Sequence, residues 1–264
     1  MAHLELENIT VKFGGLTALS RLSFSLKRGE IVGLIGPNGA GKTTVFNVLT
    51  GVYKANSGDV RFDGKSVLGR RPHEIFAKGV ARTFQNIRLF SAMTALENAM
   101  VARHCRSKRG VVGAIFRTAS QRREEKRIRG SALEALAFMG VDKYADTVAS
   151  NLPYGLQRRL EIARALASQP KVILLDEPAA GMNPAESRAL MNDISRICQS
   201  GIDVLLVEHD MKVVMGVCSR IVCVDHGVKI AEGTPAEIQS NPQVVEAYLG
   251  QPASQKHSSK RSVK

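Results

Sequence analysis

No apolar run in this sequence approaches the roughly 18 residues that a bilayer-crossing helix needs. Its N-terminus also lacks the basic stretch and apolar core of a secretory signal. A soluble, cytoplasmic chain is expected, for which any membrane role requires a partner. The four cysteines, Cys105, Cys198, Cys218 and Cys223, show no CxxC spacing, which removes the common zinc and dithiol chemistries. Idle thiols in a reducing compartment are the expectation. Nucleic acid is disfavoured despite a formal net charge of +13. Ten Lys/Arg fall within residues 103–129 against Glu124 and Glu125, four more fall within 256–264, and the rest of the chain is nearly neutral. Phe116 is the one aromatic in the basic segment, whereas single-strand binding stacks successive bases on several rings. A solvated helical face accounts for this charge first, and attraction to anionic lipid second.

What is present, 264 residues with 44% apolar and 23% charged, suffices for one domain or a domain with a lobe. Period-two alternation in LELENITVKF and at Leu22, Phe24 and Leu26 predicts strands with one wet face. Asp63-Gly64 within VRFDGKSV is a hairpin signal. Three runs are continuously apolar: IVGLIG (31–36), VILLDE (172–177) and VLLVEH (204–209). Such runs suit strands buried on both faces of a parallel sheet. Helices lie between them. Asn183 reads as an N-cap with Pro184 at N1 and Glu186 at N3, a stripe of Leu190, Ile194 and Ile197, and Gly201 as C-cap. TPAEI (234–238) repeats the capping logic. From about 92 to 150 the strand pattern gives way to helices, among them SALEALAFMG with its stop at Gly140. From Pro252 onward a disordered basic tail is expected.

The three apolar runs all end in polar chemistry, and ligands of open α/β sheets bind beyond strand carboxyl ends. In GPNGAGKTT, Gly36, Gly41, Lys42 and Thr43 fill the fixed positions of a phosphate-binding loop, and Pro37, Asn38, Gly39, Ala40 and Thr44 complete it. Backbone N–H groups curl around phosphates there, Lys42 reaches the outer ones, and Thr43 can ligate Mg²⁺. At the second end Asp176 would hold the Mg²⁺ shell, and Glu177 would orient or deprotonate an attacking water. At the third, His209 would hydrogen-bond a γ-phosphate. A further glycine loop, Pro153-Tyr154-Gly155, runs into a helix at Leu156, and open helix N-termini suit anions. Leu156, Leu160, Ala163 and Ala167 face inward on that helix, leaving Arg158, Arg159 and Arg164 as a solvated outer face.

GPNGAGKTT, Gln85 in RTFQN, NLPYGLQRRLEIARAL, LLDEP and the histidine of LLVEHD stand in the order found in ABC-type ATP-binding subunits. The chain resembles that family over about residues 3–250. VKFGGLTAL, TTVFNVLTG, RTFQNIRLF, the PYG tripeptide, DEPAAGMNP, VEHDMKVVMG and EAYLG look like the Liv-type ATPases, which energise bacterial branched-chain amino-acid importers. The resemblance implies a P-loop NTPase (RecA-like) parallel-sheet core, an N-terminal antiparallel β subdomain and an inserted helical subdomain at about 92–158. Residues 251–264 would follow as a basic tail.

It also implies a head-to-tail dimer with itself or with a sister ATPase. ATP and Mg²⁺ would lie between the phosphate loop of one subunit and Pro153, Tyr154, Gly155 and Leu156 of the other. Phe13 would stack on adenine, and no NKxD guanine reader is present, so ATP is favoured over GTP. Gln85 would contact the Mg²⁺/water site and report it to the helical lobe, which docks on integral membrane permease subunits. Glu177, His209 and Gln85 are the catalytic set. The location implied is the cytoplasmic face of the inner membrane, with a periplasmic substrate-binding protein selecting leucine, isoleucine or valine; urea and short amides are the alternative cargo. Two positions depart from the family pattern: Pro153 stands where serine is usual, and Asn183 where aspartate is common.

Overall fold

Strand β1 (Ala2–Phe13) turns through Gly14-Gly15 into β2 (Leu16–Lys27), and the two pair antiparallel from Phe13↔Leu16 to Ala2↔Lys27. The structure, a computed structural model, describes residues 2–104 and 119–249. The expected tail from Pro252, Cys105, Phe116 and part of the basic segment therefore lie outside the described residues. On its other edge β1 pairs with β4 (Ser57–Phe62), which returns as β5 (Lys65–Ser66). Asp63 and Gly64 take φ of 50° and 72° between them, as the expected hairpin requires. The register of β1 shifts between Leu6 and Ile9, where Asn8 adopts φ 52°, a bulge that alternation alone does not announce.

The second sheet has six strands in the order β10-β9-β3-β8-β7-β6. They are β3 (Ile31–Ile35), β6 (Val80–Arg82), β7 (Val172–Asp176), β8 (Asp203–Val207), β9 (Arg220–Asp225) and β10 (Val228–Gly233). All neighbours are parallel except the edge pair β9–β10. Every residue of β3, β7 and β8 is buried, which is why their sequences are unbroken apolar runs. Alternate side chains divide between two cores, as strand geometry demands. Val32, Leu34, Val172, Leu174, Leu205 and Val207 join Phe46 and the antiparallel sheet on one side. Ile31, Ile35, Ile173, Leu175, Val204 and Leu206 join the helices on the other.

Among the described residues the helices are α1 (Lys42–Leu49), α2 (Pro72–Lys78), α3 (Ala95–His104), α4 (Ala119–Phe138) and α5 (Tyr154–Ala167). They continue with α6 (Pro184–Gln199), α7 (Met211–Val217), α8 (Pro235–Ser240) and α9 (Pro242–Leu249). α3, α4 and α5 pack on one another between β6 and β7 in sequence. At the start of α6 the Asn183 side chain accepts from the Ala185 and Glu186 N–H groups, and Glu186 accepts the Asn183 N–H in return. This capping box is the expected one. The helix ends at Ser200, and Gly201, expected as C-cap, follows with φ 93°. Leu190, Ile194 and Ile197 are fully buried, each contributing roughly 1.5–3 kcal/mol of burial. No helix among the described residues is long and apolar enough to cross a membrane.

Candidate functional site

The phosphate loop begins where β3 stops. Gly36 adopts φ 152°, and a Cβ there would lie 2.0 Å from the carbonyl oxygen of Val224 on β9, so the packing of β3 on β9 admits glycine alone. Gly41, at φ 106°, is the N-cap of α1, pressed against Leu19 and the Ala18 carbonyl. α1 has no side-chain cap and no acid in its first turn. Its leading N–H groups and positive dipole end therefore favour an anion. Ala40 is buried and its N–H closes a turn onto the Pro37 carbonyl at 3.2 Å, while Asn38, Gly39 and Thr43 are exposed and Thr44 is half-buried. Lys42 is buried and donates its Nζ hydrogens to the carbonyls of Gly36 at 2.6 Å and Pro37 at 2.9 Å. Burial pushes the ammonium's pKa below its ordinary value, against the opposing pull of Glu177 and Asp176.

β6, β7 and β8 deliver the remaining groups to the same edge. Asp176, the last residue of β7, is held at Oδ2 by Arg82 Nη2 at 2.9 Å, and Arg82 Nη1 donates to Asn47 Oδ1 at 2.7 Å. Arg82 lies over the rings of Phe46 and Phe84; sequence reasoning does not single it out. Glu177 leaves the strand at φ 47°, a left-handed conformation rare for a residue with a side chain. Its N–H donates to Val207 on β8 at 2.9 Å, so the sheet maintains this turn. The carboxylate is gripped from both sides: Oε2 accepts Gln85 Nε2 at 2.7 Å and Oε1 meets His209 Nε2 at 2.5 Å. Three segments distant in sequence thus converge on one carboxylate. The neighbouring Glu208 is buried, accepting the Ala179 N–H at 2.7 Å and the His209 N–H at 3.2 Å. Burial pushes its pKa up, and its bonds make it a strut for the loops.

Pro153 is the N-cap of α5, again without a side-chain cap or an acid in the first turn. The Tyr154 hydroxyl donates to the Ala180 carbonyl at 3.0 Å, accepts from Arg158 Nη2 at 3.2 Å, and its ring packs on Gly181. Gly155 abuts Glu186, and Leu156 is half-buried. None of the described hydrogen bonds joins Pro153–Leu156 to the phosphate loop of the same chain. The expectation of a solvated arginine face on α5 is wrong. Arg158 is fully buried, donating to the carbonyls of Phe84 at 2.7 Å and Gln85 at 2.6 Å and to Glu161 at 2.8 Å. Arg159 reaches the Met139 carbonyl and Asp193, and Arg164 lies over Phe90. The cause is that α5 is flanked by residues 84–90, Met139 and α6, which offer the guanidinium groups backbone carbonyls, the Phe90 ring and the Asp193 carboxylate.

Phe13 is exposed at the end of β1, in edge contact with Tyr53 at 5.1 Å and 72°. Tyr53 is a second aromatic that sequence reasoning passes over, since its contact with Phe13 spans distant segments. The hydroxyl of Thr43, the carboxylate of Asp176 and the amide oxygen of Gln85 are hard oxygen donors of the kind Mg²⁺ accepts.

A family model described as ABC transporter matches residues 19–180, and one described as Branched-chain amino acid ATP-binding cassette transporter matches residues 228–254. The chain is 44% identical over 249 residues to the high-affinity branched-chain amino acid transport ATP-binding protein BraF of Pseudomonas aeruginosa, spanning 94% of this chain and 98% of the relative. It is 45% identical, over the same shares, to LivG of Escherichia coli (strain K12). Among solved structures it is similar to the ADP conformation of MJ1267, an ATP-binding cassette of an ABC transporter, at TM-score 0.83 and 34% identity, covering 95% of this chain and 100% of that one. It is also similar to a dimeric bacterial ABC transporter cassette, MJ0796, at TM-score 0.73 and 26% identity, over 88% of this chain and 98% of that one. Together with the match over most of its length to transport ATP-binding proteins, this shows that the chain belongs to the ABC transporter family as an ATP-binding subunit.

Proposed function

We propose that this chain is the ATP-hydrolysing motor subunit of a bacterial importer for branched-chain amino acids. The observation that carries the catalytic part is Glu177, held by Gln85 and His209 beside a phosphate loop. Its carboxylate is the general base for an attacking water, and His209 and Gln85 fix its direction. Lys42 and the α1 N–H groups bind the phosphates of ATP, and Phe13 stacks on adenine. Thr43, Asp176 and Gln85 would hold Mg²⁺, which neutralises phosphate charge when bound. Pro153, Tyr154, Gly155 and Leu156 present the open N-terminus of α5 to ATP held by a second ATPase subunit in a head-to-tail dimer. The names of the relatives and the match over 228–254 support the amino-acid cargo.

The unit spans residues 3–250, with a helical subdomain at about 92–158 and a basic tail at 251–264. A groove of about 390 Å³ between α2, α3 and α5 is lined by Ile75, Phe76, Phe84, Phe90, Val101 and Ala102. This apolar surface suits a cytoplasmic helix of the permease. It adjoins the carbonyls of Phe84 and Gln85 that Arg158 fixes, so movement of the docked helix and of Gln85 would be linked. The subunit then works at the cytoplasmic face of the inner membrane, with a periplasmic binding protein delivering the cargo.

The test is uptake of labelled leucine, isoleucine and valine by the native cells, wild type against Lys42→Ala. Selective loss of that uptake, with an unrelated solute unaffected, is expected. Unchanged uptake with the variant present and no redundant importer would overturn the cargo, and urea and short amides would be tested next.

A further inference from the structure

The C-terminal segment reaches the nucleotide site through one hydroxyl. The backbone N–H of Gly36 donates to the Tyr248 hydroxyl oxygen at 2.9 Å, across 212 residues of sequence. Tyr248 lies on α9, which is firmly placed. Its Val244 is buried in the core with Ile238 of the preceding α8, and Asn241 caps α9 by accepting the Gln243 and Val244 N–H groups. The ring lies with Met211, Met215 and Val245 in an apolar groove beside α7. Burial pushes the phenol's pKa up to about 12, further above neutrality than its ordinary value already lies.

Gly36 needs such an anchor. The contact with Val224 demands glycine there, and glycine has the widest backbone freedom of any residue. The structure restrains it on both sides. Tyr248 takes its N–H, and Lys42 Nζ takes its carbonyl at 2.6 Å. The bonds form a chain running from hydroxyl to glycine to ammonium, in which each member orients the next.

We propose that Tyr248 is a positioning residue of the phosphate loop, acting through Gly36 to hold the Lys42 ammonium where it meets the phosphates of ATP. The inference rests on the reading of residues 36–44 as the nucleotide site. The residue belongs to the 228–254 segment matched by the branched-chain model, so that segment contributes to nucleotide binding as well as to the edge of the sheet.

The experiment compares full-length wild type with Tyr248→Phe, which keeps the ring in its groove and removes the hydroxyl. Equilibrium ATP binding should weaken about five- to tenfold, in line with loss of one half-buried hydrogen bond. In the assembled transporter KM for ATP should rise by a similar factor with kcat within about twofold. A Kd within twofold of wild type, or a fall in kcat at unchanged KM, would overturn the proposal whatever happens to thermal stability. Independently of any variant, the Gly36 amide of nucleotide-free wild type should be protected from hydrogen exchange; exchange at the open-chain rate would overturn it too. Failure of the wild type itself to bind ATP would instead overturn the reading of the site.

Discussion

Oε1 of Glu177 lies 2.5 Å from Nε2 of His209, while its other oxygen accepts the Gln85 amide at 2.7 Å. A carboxylate engaged at both oxygens has one orientation, and that orientation is what a base needs before water arrives. Glu177→Gln keeps the size but removes the basic oxygen. Turnover in the assembled transporter should fall at least about 100-fold, the usual scale of general-base removal. ATP affinity should stay within about threefold. Phosphate release and nucleotide binding, measured on one preparation, check both; a variant retaining more than about a tenth of wild-type turnover would exclude the role.

Arg158 heads the largest fully buried side chains among the described residues. It is fully buried with Glu161 beside it and links α5 to the carbonyls of Phe84 and Gln85. Arg158→Ala leaves Glu161 buried without its cation, which costs about 3–5 kcal/mol. Replacing both with apolar residues, Arg158→Met with Glu161→Leu, should cost less. Urea unfolding of the two variants gives the order directly. A single variant no less stable than the double would show that Glu161 finds another partner.

The sequence legibly contains whatever is local. The phosphate loop occupies nine consecutive residues, the Asn183 and Thr234 capping boxes span four each, and β3, β7 and β8 appear as apolar runs because both faces are covered. What it hides are pairings between distant segments. Arg82 meets Asp176 across 94 residues and Tyr248 meets Gly36 across 212, and neither tyrosine nor arginine carries a mark of its partner. The burial of Arg158 is hidden for a related reason: two of its acceptors are backbone carbonyls, which every residue has. β9 carries a buried apolar run of only four residues, Ile221 to Val224, too short to stand out, and β10, with no buried residue, leaves only a weak pattern.

The C-terminal segment should also weaken in acid. Glu237 accepts the Thr234 N–H at 2.7 Å and the Thr234 hydroxyl at 3.0 Å. The N–H bond, and then the hydroxyl, hold its pKa below the ordinary 4.5. The folded form thus keeps this carboxylate ionised more readily than the unfolded chain does. Its stabilisation is complete above the unfolded value and fades as pH falls through the lower folded one. Glu237→Ala should be less stable than wild type at pH 7, with the gap closing as pH drops below 4.5. Urea midpoints across that range test the sign, and a gap that widens in acid would refute it.

Pro153 offers the last contrast, because it caps α5 with neither an N–H nor a hydroxyl. Its φ of −54° and ψ of 150° are those of a residue whose oxygen can cap a helix, so serine fits without moving the chain. A serine hydroxyl there has two roles open to it: its oxygen accepts from the orphan N–H groups of α5, and its O–H donates to a phosphate on the facing subunit. The first adds roughly 0.5–2 kcal/mol of stability, largely offset by the extra freedom of the unfolded chain once proline is gone, about 0.4–1 kcal/mol. The second acts only in the assembled dimer. Pro153→Ser should therefore change the stability of the isolated chain little while raising transporter turnover about two- to tenfold, the effect of one added hydrogen bond of ordinary strength. Equal turnover would mean that the N–H groups from Tyr154 onward, held in place by the Tyr154–Ala180 bond at 3.0 Å, already complete the composite site.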